Sequence, residues 1–232
     1  MVPALARSAW PARTGHGYSP DHPPGGHQAA CGHAAKPARL TQAGTATTLP
    51  ARKGLAYCRT DGLAGALPAP DHLLFSWLLA ALGEAAASEV GVAEIDPAAA
   101  DTAAFCERYA VSPAESANCV VISGKRAGET RYAACVILAT TRADVNNVAR
   151  RELDVRKASF APMDTAVAES GMEYGGITPL GLPAGWPVLV DAAVADTPFV
   201  VIGSGVRHSK LVLPGKLLAS LPGARTIDGL AR

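Results

Sequence analysis

Residues 116–141 read SANCVVISGKRAGETRYAACVILATT. Two runs rich in β-branched residues, SANCVVIS and RYAACVILATT, flank a glycine-containing turn, GKRAGET. That pattern predicts a β-hairpin. With its centre near Ala127, Cys119 and Cys135 fall opposite each other as two reduced, buried thiols.

Working outward, short strands alternate irregularly with helices. Upstream, Asp71 to Ala87 carries a helical apolar pattern (Leu74, Trp77, Leu78, Ala81, Leu82) with Asp71 placed as an N-cap. EVGVAEID follows as a short strand, and PAAADTAAFCERYAV as one helix with proline near its start. Downstream, Thr141 caps a helix RADVNNVARREL with Asp144 three residues on, as in a capping box. VRKASFA reads as a strand, and PMDTAVAES as a helix that opens on Pro162 and stops at Gly171. PVLVD, PFVVIGSG and KLVL are short strands, PGKLLASL a last helix and ARTID a last strand. The mixture predicts an α+β fold, one domain over residues 46–232 with a mixed β-sheet and flanking helices rather than a doubly wound one. Residues 1–45 are dominated by proline, glycine and small residues without a persistent period, as in a disordered tail or a mis-assigned start.

Composition narrows the function. The chain is 49% apolar and 18% charged, with a net charge of +1, which argues against an indiscriminate polyanion binder. Its charge is nevertheless segregated: residues 117–160 hold eight basic side chains against four acidic, enough to present a positive face to a nucleic acid. Five cysteines without a C-x-x-C pair give neither a common zinc spacing nor a disulfide framework. His16, His22, His27, His33 and Cys31 are too irregularly spaced to define a metal tract. With no secretory signal and no apolar run of membrane-spanning length, the expectation is a cytoplasmic protein that binds no membrane, metal or cofactor.

Phosphate-binding P-loop, zinc deaminase and G-x-S-x-G signatures are absent. His208 is the only histidine after residue 72, so a histidine-based triad would depend on it alone. What remains is GMEYGGITPLGLPAGWP, residues 171–187, with five glycines and three prolines. Gly175 and Gly176 permit positive φ, so consecutive amides can point the same way and hold a carbonyl or a developing oxyanion. Pro179 and Pro183 stiffen the loop.

GMEYGGITPLGLP, PVLVDAAV and VVIGSGVRHSKLVL, followed by a helix and ARTID, resemble the YbaK family of aminoacyl-tRNA deacylases, related to the editing domain inserted in bacterial prolyl-tRNA synthetases. The resemblance runs in order from about Ala114 to Asp228 and extends plausibly from Leu67. It implies a partly barrel-like α+β domain with a cleft for the 3′ end of a mischarged aminoacyl-tRNA. It further implies hydrolysis of the ester without metal or cofactor, and a prolyl-tRNA synthetase as a candidate partner. The G-x-x-x-P element is Gly175 to Pro179, which makes Gly175, Gly176, Thr178 and Pro179 the expected catalytic loop. Gly203, Ser204 and Gly205 would form the facing wall, with Ser204 offering a hydroxyl. Asp191 would either meet the substrate's amino group or cap a turn. One position departs from the pattern: Asn118 stands where the family usually carries a lysine. An amide cannot supply positive charge. Either Lys210 or Arg207 supplies it from across the cleft, or the acyl group differs, or the protein binds without hydrolysing; alternatively, Asn118 is a satisfied polar residue on the sheet.

Overall fold

The computed structural model describes residues 58–59, 82–83, 86 and 89–232. The expectations for residues 1–45, and nearly all of the helix expected from Asp71, lie outside these.

The hairpin forms as the sequence predicts. β3 (Ala117–Arg126) and β4 (Glu129–Leu138) pair antiparallel around Ala127 and Gly128, whose φ values of 50° and 86° make a two-residue turn. The register differs from expectation by one residue. Cys119 pairs with Val136 and Cys135 with Val120, because the turn is centred between Ala127 and Gly128. Side chains alternate across a strand, so that single step sends the two thiols to opposite faces of the sheet. Cys119 packs with Val136 in one core and Cys135 lies in another.

β5 (Ala158–Phe160) pairs antiparallel with β3, while β6 (Val188–Asp191) runs parallel to β4 and β9 (Ala224–Ile227) parallel to β6. The result is a mixed five-stranded sheet of order β5-β3-β4-β6-β9. A second, antiparallel sheet has the order β1-β2-β8-β7, from β1 (Cys58–Arg59), β2 (Gly91–Glu94), β7 (Val200–Gly203) and β8 (Ser209–Leu213). The fold class is α+β, as expected, but the strands divide between two sheets and close no barrel among the described residues.

Three apolar clusters hold the layers together by removing side chains from water. Val136, Val188 and Val190 of the mixed sheet meet Ile202, Leu211 and Leu213 of the antiparallel one, so the largest core lies between the sheets. Phe105 and Cys106 cover Ala93, Val201 and Val212 on the antiparallel sheet's other side. Val145, Ala149 and Leu153 cover Ile122, Cys135 and Leu189 of the mixed sheet.

Two helix expectations need correction. The segment from Pro97 is not one helix. It is a 3₁₀ turn, Pro97–Ala99, then a helix, Thr102–Tyr109, separated by Asp101 in extended conformation (φ −69°, ψ 138°). Asp96 caps the turn by accepting from the Ala98 amide at 2.9 Å. Thr141 does not cap the next helical segment; its hydroxyl donates back to Leu138 O at 2.9 Å. Asp144 is the cap, accepting from the Asn147 amide at 3.1 Å before a π-turn, Val145–Ala149, that continues into Arg150–Glu152. The helix Met163–Ser170 begins after Pro162 and ends at Gly171 with φ 70°, as expected.

Candidate active site

The glycine-rich loop after Met163–Ser170 is laced backbone to backbone onto the turn between β7 and β8. The Glu173 amide donates to Gly205 O at 2.9 Å, and the Gly205 amide donates to Gly176 O at 2.7 Å. The Arg207 amide donates to the Glu173 carboxylate at 2.7 Å. Beneath the junction is a cleft of about 290 Å³ whose lining includes Asp101, Asn118, Tyr174, Gly175, Gly203 and Lys210. Four of the sequence-predicted site residues, Asn118, Gly175, Gly203 and Lys210, thus converge from four separate segments.

Each owes its place to local structure. Gly175 has φ +76°, in the left-handed region that favours glycine. Gly203 ends β7 where a Cβ would fall 2.5 Å from Gly176 O, so only glycine lets the two main chains touch. Asn118, near the start of β3, accepts a hydrogen bond from Thr102 Oγ1 at 2.6 Å through Oδ1. That leaves its amide NH₂ as the donor end. Lys210 of β8 is buried; its ammonium donates to Ala100 O at 2.9 Å and more weakly to Gly175 O at 3.5 Å, and lies 5.4 Å from the Phe105 ring centroid. Burial pushes the Lys210 ammonium below the usual lysine range, and the nearby Asp101 carboxylate opposes that shift.

The remaining predicted residues are not among the cleft's lining residues. Gly176 does not have positive φ, and its amide donates to Glu173 O at 2.9 Å, so the tandem glycines do not form a nest of two free amides. Gly176 is needed because a Cβ there would meet the Val206 main chain at 2.7 Å. Thr178 is fully buried and its amide donates to Met172 Sδ at 3.4 Å, while Oγ1 has no hydrogen-bond partner among the described residues. Pro179 lines a different hollow, of about 670 Å³, with Trp186 and Leu221.

Asp191 caps the helix Ala192–Ala195, accepting from the Ala193 amide at 3.0 Å, and its other oxygen accepts from the Ala231 amide at 2.9 Å. Both oxygens are engaged within the fold and the residue lies outside the cleft's lining, the arrangement of a turn-capping aspartate. Ser204 is buried; its hydroxyl joins Ser209 O at 2.9 Å and Ser209 Oγ at 2.8 Å, and is turned inward instead of toward the cleft. Gly205 supplies the turn itself, with φ +93°. Arg207 is a strap, donating to Tyr174 O at 3.0 Å and Pro97 O at 2.9 Å. His208 is not among the cleft's lining residues.

Sequence reading missed Asp101 and Thr102, which it placed inside a continuous helix. The extended break at Asp101 brings both to the cleft. The available signal was an Asp-Thr pair before an apolar helical run, itself an N-cap pattern. Cys119 also lines the cleft, but burial raises its thiol far above the usual range, which leaves it protonated and a poor nucleophile.

Residues 96–221, more than half of the chain, match the model of the aminoacyl-tRNA editing domain. The chain belongs to the aminoacyl-tRNA editing domain family. The matched span takes in the cleft from Asp101 to Lys210. Solved structures share the editing-domain fold. One is a candidate trans-editing enzyme for prolyl tRNA synthetase, 18% identical, with a TM-score of 0.55, over 66% of this chain and 94% of that one. Another is a scaffold protein from computational epitope grafting, also 18% identical, with a TM-score of 0.58, over 69% of this chain and 97% of that one. At such identities the likeness speaks to fold alone. Among the described residues, no helix is long and apolar enough to cross a membrane.

Proposed function

We propose that this protein is a trans-editing hydrolase that cleaves the ester between a wrongly attached amino acid and the terminal ribose of a tRNA. The observation that carries this reading is the convergence of Gly175, Gly203, Asn118 and Lys210 on one cleft within an editing-domain chain. The 3′ end of the aminoacyl-tRNA enters that cleft. The Gly175 amide, which has no hydrogen-bond partner among the described groups, faces the ester carbonyl as a preset donor. Lys210 lines the same cleft as Asn118 and supplies the positive charge that position 118 lacks. Two of its protons are directed to Ala100 O and Gly175 O, leaving the third for the charge that develops on the ester. The nucleophile is water, or a group of the substrate itself, and no metal takes part.

The glycine-rich loop contributes rigidity more than donors. Held by Gly205, Arg207 and its own internal bonds, it fixes Gly175 before substrate arrives, so ordering cost is not levied on binding. The tRNA body meets the basic residues of segment 117–160, which makes affinity fall steeply with salt. A prolyl-tRNA synthetase is the partner whose errors such a protein would correct.

Incubation with a panel of mischarged tRNAs, with and without a chelator, tests the proposal. The expected result is release of amino acid from at least one tRNA, unchanged by chelation. Asn118 favours a second reading, a module that holds the tRNA end without hydrolysing it. Tight binding of the panel with no release would establish that reading in place of the first.

A further inference from the structure

Asp101 occupies the N-cap position of the helix Thr102–Tyr109, yet its carboxylate makes no capping hydrogen bond. Aspartate at this position normally accepts from an amide of the first turn. Here Oδ1 instead lies 3.3 Å from where a Cβ on Gly175 would stand. Its ion pair among the described residues, to Arg207 Nη1, is 3.8 Å long, beyond the 2.7–2.9 Å of a charge-assisted hydrogen bond. The side chain is 61% exposed, so it is open to a ligand. Among the described residues, Asp101 is also the one acidic residue in the lining of the cleft. By contrast, both oxygens of Asp191 are occupied within the fold.

An aminoacyl ester places its ammonium nitrogen two bonds from the carbonyl carbon. If that carbonyl faces the Gly175 amide, the ammonium falls beside the neighbouring carboxylate, while the Lys210 ammonium repels it and Asn118 Oδ1 is already engaged by Thr102. We propose that Asp101 recognises the α-ammonium of the esterified amino acid and makes the site selective for free over N-acylated aminoacyl groups. This rests on the editing reading above and adds the residue that reads the amino group.

The test uses non-hydrolysable 3′-aminoacylamino-3′-deoxyadenosine and its N-acetyl counterpart, titrated calorimetrically into the full chain and into Asp101→Asn. The wild-type protein is expected to prefer the free amine by about 10- to 100-fold, the range of a hydrogen bond to a charged group. Asp101→Asn keeps a cap-competent side chain and is expected to lose the preference, with its affinity for the N-acetyl ligand unchanged. A preference that survives in Asp101→Asn, an equal loss for both ligands, or no preference in the wild type overturns the assignment. Binding is read without hydrolysis, so a protein that prefers the amine yet deacylates nothing retains this inference while losing the hydrolase reading. Deacylation without amine preference does the reverse. If neither ligand binds, both fail.

Discussion

A Cβ on Gly203 would stand 2.5 Å from the carbonyl oxygen of Gly176, and the same oxygen accepts the Gly205 amide at 2.7 Å. The site therefore depends on two glycine-bearing segments, remote in sequence, touching main chain to main chain. This contact sets Gly175 over the cleft, and each expectation below perturbs either it or the groups facing it.

Gly175→Ala is expected to slow single-turnover deacylation at least about tenfold. Left-handed backbone costs an alanine roughly 1–2 kcal/mol, and its Cβ would come within 2.7 Å of Arg207 Nη1, loosening the strap. Gly171→Ala is the control, since Gly171 has similar φ (+70°) but open space around its Cβ position. It should lose comparable stability in urea melts and keep its rate. Equal slowing of both variants would assign the Gly175 effect to folding alone.

Asn118→Lys restores the charge usual in the family and removes the acceptor for Thr102 Oγ1. The variant is expected to deacylate faster, or to shift which amino acid it removes, in the mischarged-tRNA panel. An unaltered rate and preference would leave Asn118 as a polar residue of the sheet.

Lys210→Met is expected to abolish most deacylation without unfolding the protein. Its stability should also respond differently to pH. Because burial lowers the folded-state pKa of Lys210 below its ordinary 10.5, the unfolded chain binds more protons between the two values. Wild-type stability thus gains a contribution as pH rises through that window, complete above the unfolded pKa and lost as pH falls through the folded one. Lys210→Met lacks this rise, so its stability relative to wild type should be greatest below the window. Urea unfolding at stepped pH measures it, and parallel curves would contradict the buried-ammonium account.

Asp191→Ala should destabilise the fold by about 1–3 kcal/mol, because it removes a helix cap and orphans the Ala231 amide. Where the variant remains folded, its deacylation rate should match wild type. A specific rate loss at full folding, measured with denaturation midpoint and single-turnover kinetics together, would return Asp191 to the substrate.

Much of the architecture was legible along the chain because its cues are local. Alternating β-branched runs and an Ala127-Gly128 turn mark the hairpin, and Pro162 and Gly171 bracket a helix. The thiol register differs by one residue because the two-residue turn is centred between Ala127 and Gly128, not on Ala127 itself. The break at Asp101 was hidden by alanine-rich neighbours whose pattern suits a helix, although Asp96 and Asp101 each begin a separate helical turn.

The sequence by itself determined the α+β class and most of the strands and helices from Pro113 onward, because propensities and turn residues act within a few positions. The family was legible through a resemblance of motifs from Gly175 to Lys210. Which polar groups face the cleft was decided only by tertiary structure. Asp191 and Asp101 are both aspartates at helix starts, but one has its oxygens consumed by Ala193 and Ala231 while the other stands open beside Gly175. A carboxylate's availability depends on which amides the rest of the chain brings within about 3 Å of it, and those amides come from segments that meet only after the sheets have packed.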